Sequence, residues 1–221
     1  MRIVEAQIIP LTQINGMEII KHLENIARTC YKSHDKTTDD GQSALRLLRN
    51  LKNAGHDSMF EHYTISMRYL TNIAAYKDLT RMRKASFAIE STRWVRYDKD
   101  KFGKELTFIR PVEIPQDSLK YQVWLNAMEQ AEKNYMDMAS MGATADELSL
   151  MLPQSTAAEV NITTNLRHWE HIFNLRAVGH SRECVKQIIQ PTLELFRREI
   201  PIIFDDVYNK MIQEKMNQKE R

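Results

Sequence analysis

The chain has 221 residues, 43% of them hydrophobic and 27% charged, enough for one sizeable core and short of two. Its formal net charge of +2 excludes a generally basic nucleic-acid binder while leaving room for a local patch. Two cysteines, Cys30 and Cys184, exclude a disulfide framework, and six scattered glycines exclude both a dinucleotide fingerprint and a P-loop.

Residues 2–9 are β-branched and carry no helix signal, so an opening strand is expected. No apolar leader and no run of eighteen apolar residues is present, and with reduced thiols a cytoplasmic protein is expected. Ile19, Leu23, Ile26, Ala27 and Cys30 recur at helical spacing behind Asn15 and Gly16, which predicts a helix over 17–31 with Cys30 on its core-facing side. A polar loop, 33–41, leads to a second amphipathic helix built on Ala44, Leu45, Leu47, Leu48 and Leu51 and stopped by Gly55. The polar run His56-Asp57-Ser58-Met59-Phe60-Glu61-His62 then stands where a helix hands over to a strand, since Tyr63, Ile65, Met67 and Tyr69 alternate. Such turns carry site residues, or simply solvate their histidines.

Residues 73–79 read as a helix. Segment 81–96 comes next, with five cations (Arg81, Arg83, Lys84, Arg93, Arg96), two serines and one carboxylate in sixteen residues. It has no clean period, and the residues after it fit neither helix nor strand. Arginines that no apolar face requires are best explained by a docked anion, because guanidinium groups grip phosphate bidentately and small hydroxyls complete the oxygen shell. A solvated charge run at a helix end is the plain alternative. Beyond it, 105–110 suggests a strand ended by Pro111, and 119–141 a long helix. The stripe of that helix, from Tyr121 through Trp124, Leu125, Met128, Ala131 and Tyr135 to Met138, is core or subunit interface. Thr144-Ala145-Asp146-Glu147 is a capping box opening a short helix to Leu152. In 165–176 the apolar residues Trp169, Ile172, Phe173 and Leu175 predict a helix. Its Arg167, His171 and Asn174 share one face near the start, where free N–H groups and the dipole favour an anion. Arg176 lies at the other end. A helix over 183–199 interrupted by Pro191, and a last one over 202–216, close the chain; the polar tail 213–221 is expected to fray.

Arg81-x-Arg83, x-x-Ser86, four residues, Ser91-x-Arg93 resembles the signature of flavin-dependent thymidylate synthases, with Met82 where that family has histidine. The 56–62 run resembles the family's His-x-Thr-x-Phe-Glu-His, with Ser58 for the threonine. Residues 27–30 resemble its Ala-Arg-x-Ser, with Cys30 for the serine. Asn165-x-Arg167 followed by Asn174-Leu175-Arg176, with His180 four residues on, resembles a fourth segment. The resemblance spans residues 19–205. It implies an α+β fold, one helix-rich domain over 1–221 with a mainly antiparallel sheet, assembled as a homotetramer with sites between subunits. It further implies dTMP synthesis from dUMP, with FAD bound and methylenetetrahydrofolate and NADPH as co-substrates. By the same resemblance Ser58, Arg81, Arg83, Asn165, Arg167 and His171 would contact FAD. Arg81, Ser91 and Arg93 would hold dUMP. Arg176 would be the catalytic group, set against the pyrimidine ring to favour its anion.

Four positions depart from the family pattern. Met82 lacks the histidine's hydrogen bonds, Ser149 replaces a nucleotide-binding arginine, Ile89 stands where a carboxylate or amide is common (with Glu90 beside it as a substitute), and Asp78 replaces a substrate-contacting glutamine. They leave the fold intact and make another pyrimidine nucleotide the alternative substrate. His168, Glu170, His171 and His180 leave a metal-dependent hydrolase open, although no HExxH is present, and the 81–96 stripe leaves a nucleic-acid-binding module open. The main reading expects no metal, no nucleic acid and no membrane partner.

Overall fold

The structure, a computed structural model, describes residues 1–219. The Asn15 side chain accepts the N–H of Glu18 and opens α1 (Gly16–Thr29), which buries Ile19, Ile20, Leu23 and Ala27. Against it packs α2 (Gln42–Asn53), followed by Gly55, whose φ of +73° turns the chain as a left-handed residue must. Glu24 is fully buried between the two helices. Its carboxylate accepts the Arg28 guanidinium at 2.7 Å and the Ser43 hydroxyl at 3.0 Å, so each charge is compensated.

The main sheet is antiparallel. β2 (Gln7–Pro10), β3 (Thr64–Asn72), β6 (Ala157–Asn165) and β4 (Ser86–Ile89) lie in the order β2-β3-β6-β4, and β3 pairs with β6 from Thr64↔Asn165 to Asn72↔Ala157. The period-2 alternation puts Ile65, Met67, Tyr69, Val160 and Ile162 on one buried face. Two helices, α6 (Leu166–Arg176) and α7 (Glu183–Glu199), cover that face. Trp169, Phe173, Phe196 and Phe204 meet there with neighbouring ring centroids 5.3–5.7 Å apart, and the Trp169 indole donates to the Ile65 carbonyl. Helices α3 (Ile73–Leu79) and α8 (Asp205–Lys219) complete this core.

A smaller core forms beside it. β1 (Arg2–Val4) pairs in parallel with β5 (Thr107–Ile109), and α4 (Leu119–Ser140) and α5 (Ala145–Ser149) lie over Tyr97, Leu106, Phe108, Met128, Tyr135 and Leu148. The expected α4 stripe is turned inward along its length. The capping box of α5 is present in both directions. No described helix is long and apolar enough to cross a membrane.

Several expectations are corrected. The opening strand is two strands, because the break at Glu5-Ala6 sends them into different sheets. A strand, β4, lies inside the aperiodic 81–96 segment; its backbone bonds come from β6, with Ser86 opposite Thr163 and Ile89 opposite Val160. β6 itself has no counterpart among the expected elements, although Val160, Ile162 and Thr164 alternate with Glu159, Asn161 and Thr163. Pro191 does not interrupt α7; the Thr192 hydroxyl donates to the Ile188 carbonyl at 2.7 Å in that turn. The last helix begins at Asp205 rather than 202, after a turn in which Ile202 takes a φ of +66°. Cys30 is an exposed C-cap residue, since α1 ends at Thr29 before the next inward position. Of the tail expected to fray, 213–219 continues α8; residues 220 and 221 lie outside the described residues.

Candidate active site

A cleft of about 820 Å³ opens where the end of α2, the 3-10 turn Asp57–His62, the 81–84 loop and the first turns of α6 converge. Asn165 is both the last residue of β6 and the N-cap of α6, its side chain accepting the His168 N–H at 2.9 Å. The strand therefore delivers the helix start, with its free N–H groups, to the cleft wall. The 81–84 loop is tied to β6 by the Thr164 hydroxyl, which donates to the Lys84 carbonyl at 2.8 Å. Met82 is its pin: only 8% exposed and packed in the main core, it leaves Arg81 and Arg83 on either side exposed. An apolar side chain thus occupies the family's histidine position, and it serves packing.

The charges of the cleft are unequal. Lys52, Arg81, Arg83, Lys84 and Arg167 face Asp57, Glu61 and Glu170. Lys52 holds both Glu170 oxygens at 2.5 Å and lies over the Phe60 ring, and Arg167 pairs with Glu61. Among the described residues, Arg81, Arg83 and Lys84 have no carboxylate within ion-pair distance. His168 is buried, stacks on His171 at 5.3 Å and has an Nε2 without a hydrogen-bond partner. Burial, reinforced by His171 and Lys84, pushes its pKa down, so the imidazole is held neutral. Three unopposed cations beside a helix N-terminus suit a ligand carrying two or three negative charges, such as a diphosphate.

The expected residues separate into two groups. Arg81, Arg83, Asn165, Arg167 and His171 share this cleft. Ser58 is exposed on the 3-10 turn, next in sequence to the cleft residue Asp57. Ser91 and Arg93 are not brought to the cleft, because β4 carries the chain away along β6, and Arg176, the last residue of α6, is not among the cleft's lining. Exposed Arg93 pairs with Asp146 of α5 at 2.5 Å. Arg176 is half-buried at the end of α6; it donates to the Asp78 carbonyl at 3.1 Å, and its Nε is buried without a partner. The Asp78 carboxylate lies 3.4 Å from Arg182.

Ile89 and Glu90 line a second cleft, about 750 Å³, beside the smaller core. The Glu90 oxygens are engaged by the Tyr97 hydroxyl at 2.7 Å and the Glu159 N–H at 3.2 Å. Ser149 turns its hydroxyl to the Asp146 carbonyl. The cleft also holds Lys52, Glu61 and Lys84, which the sequence does not single out as site residues, and His168 and Glu170, which it offers only as candidate metal ligands. Lys84 had a signal in the cationic segment; Lys52 had none, since its partner lies 118 residues away. Among the described residues no group of three or more His, Cys, Asp or Glu is placed to hold a metal ion.

Residues 14–202 match the family model described as thymidylate synthase complementing protein. Two proteins named flavin-dependent thymidylate synthase are similar in sequence. That of Pyrococcus abyssi is 27% identical over 165 residues, 74% of this chain and 66% of the relative, so the chain spans slightly less than two thirds of its length. That of Corynebacterium aurimucosum is 26% identical over 205 residues, 84% of this chain and 79% of the relative. Among solved structures, a UMP/dUMP methylase from Streptomyces cacaoi bound with 5-Br dUMP superposes with a TM-score of 0.74 at 18% identity, covering 95% of this chain and 97% of its own. Thymidylate synthase X from Helicobacter pylori with FAD and dUMP superposes at 0.71 and 17% identity, covering 92% and 99%. These likenesses establish the shared α+β fold with its antiparallel sheet.

Proposed function

The chain belongs to the thymidylate synthase complementing protein family, and from that membership we propose that it is a flavin-dependent thymidylate synthase making dTMP from dUMP. FAD is the cofactor, with methylenetetrahydrofolate and NADPH as co-substrates. The observation that carries the reading is the cleft at the α6 N-terminus, where Arg81, Arg83 and Lys84 are unopposed beside Arg167, Asn165 and His171. Those donors fit the diphosphate of FAD, and Ser58 on the adjacent turn would add a hydroxyl. Bound there, FAD would supply the hydride chemistry.

The remaining steps belong to side chains. Arg176, half-buried with an unpartnered Nε, would favour the anionic pyrimidine by charge attraction. No protein nucleophile is required, in keeping with a buried Cys184 whose thiol is pushed up to about 11 by burial. Arg81, Ser91 and Arg93 would hold the nucleotide, and Ser91 and Arg93 would reach the cleft of a neighbouring copy in a homotetramer. Their exposure outside their own chain's cleft supports this, as do the exposed apolar side chains Trp94, Leu119, Val123, Met141 and Leu150. The departures at Asp78, Ile89 and Ser149 favour a second reading, in which the substrate is another pyrimidine nucleotide. The test is reconstitution with FAD, read by absorbance and fluorescence, and then NADPH oxidation with dUMP or UMP added. Failure to bind flavin overturns the proposal; stimulation by UMP and not dUMP selects the second reading.

A further inference from the structure

Two ion pairs line the cleft at the α6 N-terminus, and they differ in kind. The Lys52 and Glu170 side chains are 10% and 18% exposed, and both carboxylate oxygens lie 2.5 Å from Nζ. Separating them would leave an uncompensated charge in a largely dry wall, so this pair is permanent. The Arg167 and Glu61 side chains are 50% and 46% exposed and share one contact, Nη1 to Oε1. Among the described residues Nε and Nη2 of Arg167 have no acceptor. A single-contact, solvated pair contributes little to stability and exchanges readily.

We propose that Glu61 is an internal stand-in for the ligand's anion. It holds Arg167 through one oxygen; an entering phosphoanhydride displaces it and takes the planar fork that this single contact leaves mostly unused. The exchange loses a weak solvated pair and gains charge-assisted hydrogen bonds, so it proceeds toward the ligand. Arg81, Arg83 and Lys84 supply the charge that recruits the anion, and Glu61 sets how tightly Arg167 closes on it. Glu61 therefore acts as a brake on affinity for any phosphate reaching Arg167, and is indifferent to an uncharged ring. The inference rests on the proposed function only for the ligand's identity as FAD.

Calorimetric titration with inorganic pyrophosphate tests it on the full chain. Glu61→Gln, which keeps the shape and removes the charge, is expected to tighten pyrophosphate binding about two- to fivefold. Glu61→Asp keeps the charge on a shorter arm and should fall between wild type and Glu61→Gln. In an Arg167→Ala background the gain from Glu61→Gln should disappear. FAD should show the same gain, and riboflavin, which lacks phosphate, none. Unchanged or weaker pyrophosphate binding by Glu61→Gln overturns the inference, as does absence of binding by both proteins. A gain that persists with Arg167→Ala also overturns it, because Glu61 would then act as a diffuse field. Failure of wild type to bind FAD, with the pyrophosphate series intact, counts against the proposed function and leaves the role of Glu61 standing.

Discussion

At the scale of single residues, the cleft depends on which charges are matched and which are not. His168 is kept neutral by burial beside His171 and Lys84, so its folded pKa lies below the ordinary 6.5. As pH falls, the unfolded chain therefore takes up a proton there first. The stability contributed by the neutral ring is complete above about pH 6.5 and is lost as pH drops toward the folded value. Melting curves between about pH 5 and 8 should show an acid-side loss in wild type that His168→Gln reduces. Arg93, whose exposed partner Asp146 is easily exchanged, should be a nucleotide residue only. Arg93→Ala is expected to weaken dUMP binding roughly ten- to hundredfold while FAD titrations stay unchanged. For Arg176→Ala, single-turnover assays should find methyl transfer abolished with FAD still bound, partly restored at high pH where bulk base ionises the ring. Arg176→Lys, lacking the planar fork, should not restore it. Normal turnover by Arg176→Ala would reduce that residue to a helix-end cation.

At the scale of elements, two helix caps separate stability from binding. Asn165 and Thr144 each accept a backbone N–H of the following turn, one at the cleft and one on α5 away from it. Replacing either with alanine should cost about 1 kcal/mol in urea unfolding. Asn165→Ala should in addition lower FAD affinity, because α6 presents Arg167 from its first turn; Thr144→Ala should not. Equal effects on FAD would mean that the cap positions nothing. The α1–α2 contact is a more demanding case. With Glu24 fully buried, Glu24→Ala leaves the Arg28 guanidinium uncompensated and is expected to cost about 3–5 kcal/mol. A double Glu24→Met, Arg28→Met variant, judged by the same unfolding curves, should recover most of it.

At the scale of the whole molecule, the main sheet joins two clefts. β6 ends at the cationic cleft through Asn165, while Ala157, Glu159 and Asn161 at its other end line the second. β4 runs beside it, and the chain then leaves with Ser91 and Arg93 turned outward. If those residues serve a neighbouring copy, Arg93→Ala and Arg167→Ala chains should each turn over poorly alone at a dUMP concentration that only the wild type fills. Mixed after unfolding and refolding together, they should regain activity at about a quarter of the sites, those that draw both intact residues from different chains. No recovery on mixing would place the whole site within one chain.

The sequence by itself determined what depends on neighbours along the chain. The caps at Asn15 and Thr144, the inward stripes of α1, α2 and α4, and the alternation of β3 were legible, because helix bonds close within four residues and a strand's two faces are set by its own period. The residue types of the cationic segment were legible too, since phosphate selects guanidinium and hydroxyl groups whatever the fold. Only the tertiary structure decided the rest. β4 is a strand because β6 supplies its hydrogen bonds, and no period within Arg81–Arg96 announces that. Lys52 meets Glu170 across 118 residues, and Met82 is a core pin because it packs into the main cluster, whose members come from distant parts of the chain. Arg81, Arg83, Asn165, Arg167 and His171 converge on one cleft, whereas Ser91 and Arg93 follow β4 away from it and Arg176 ends α6 outside its lining. Spacing in a motif records residue types, and the direction of the chain after β4 decides that Ser91 and Arg93 leave the cleft that Arg81 and Arg83 line.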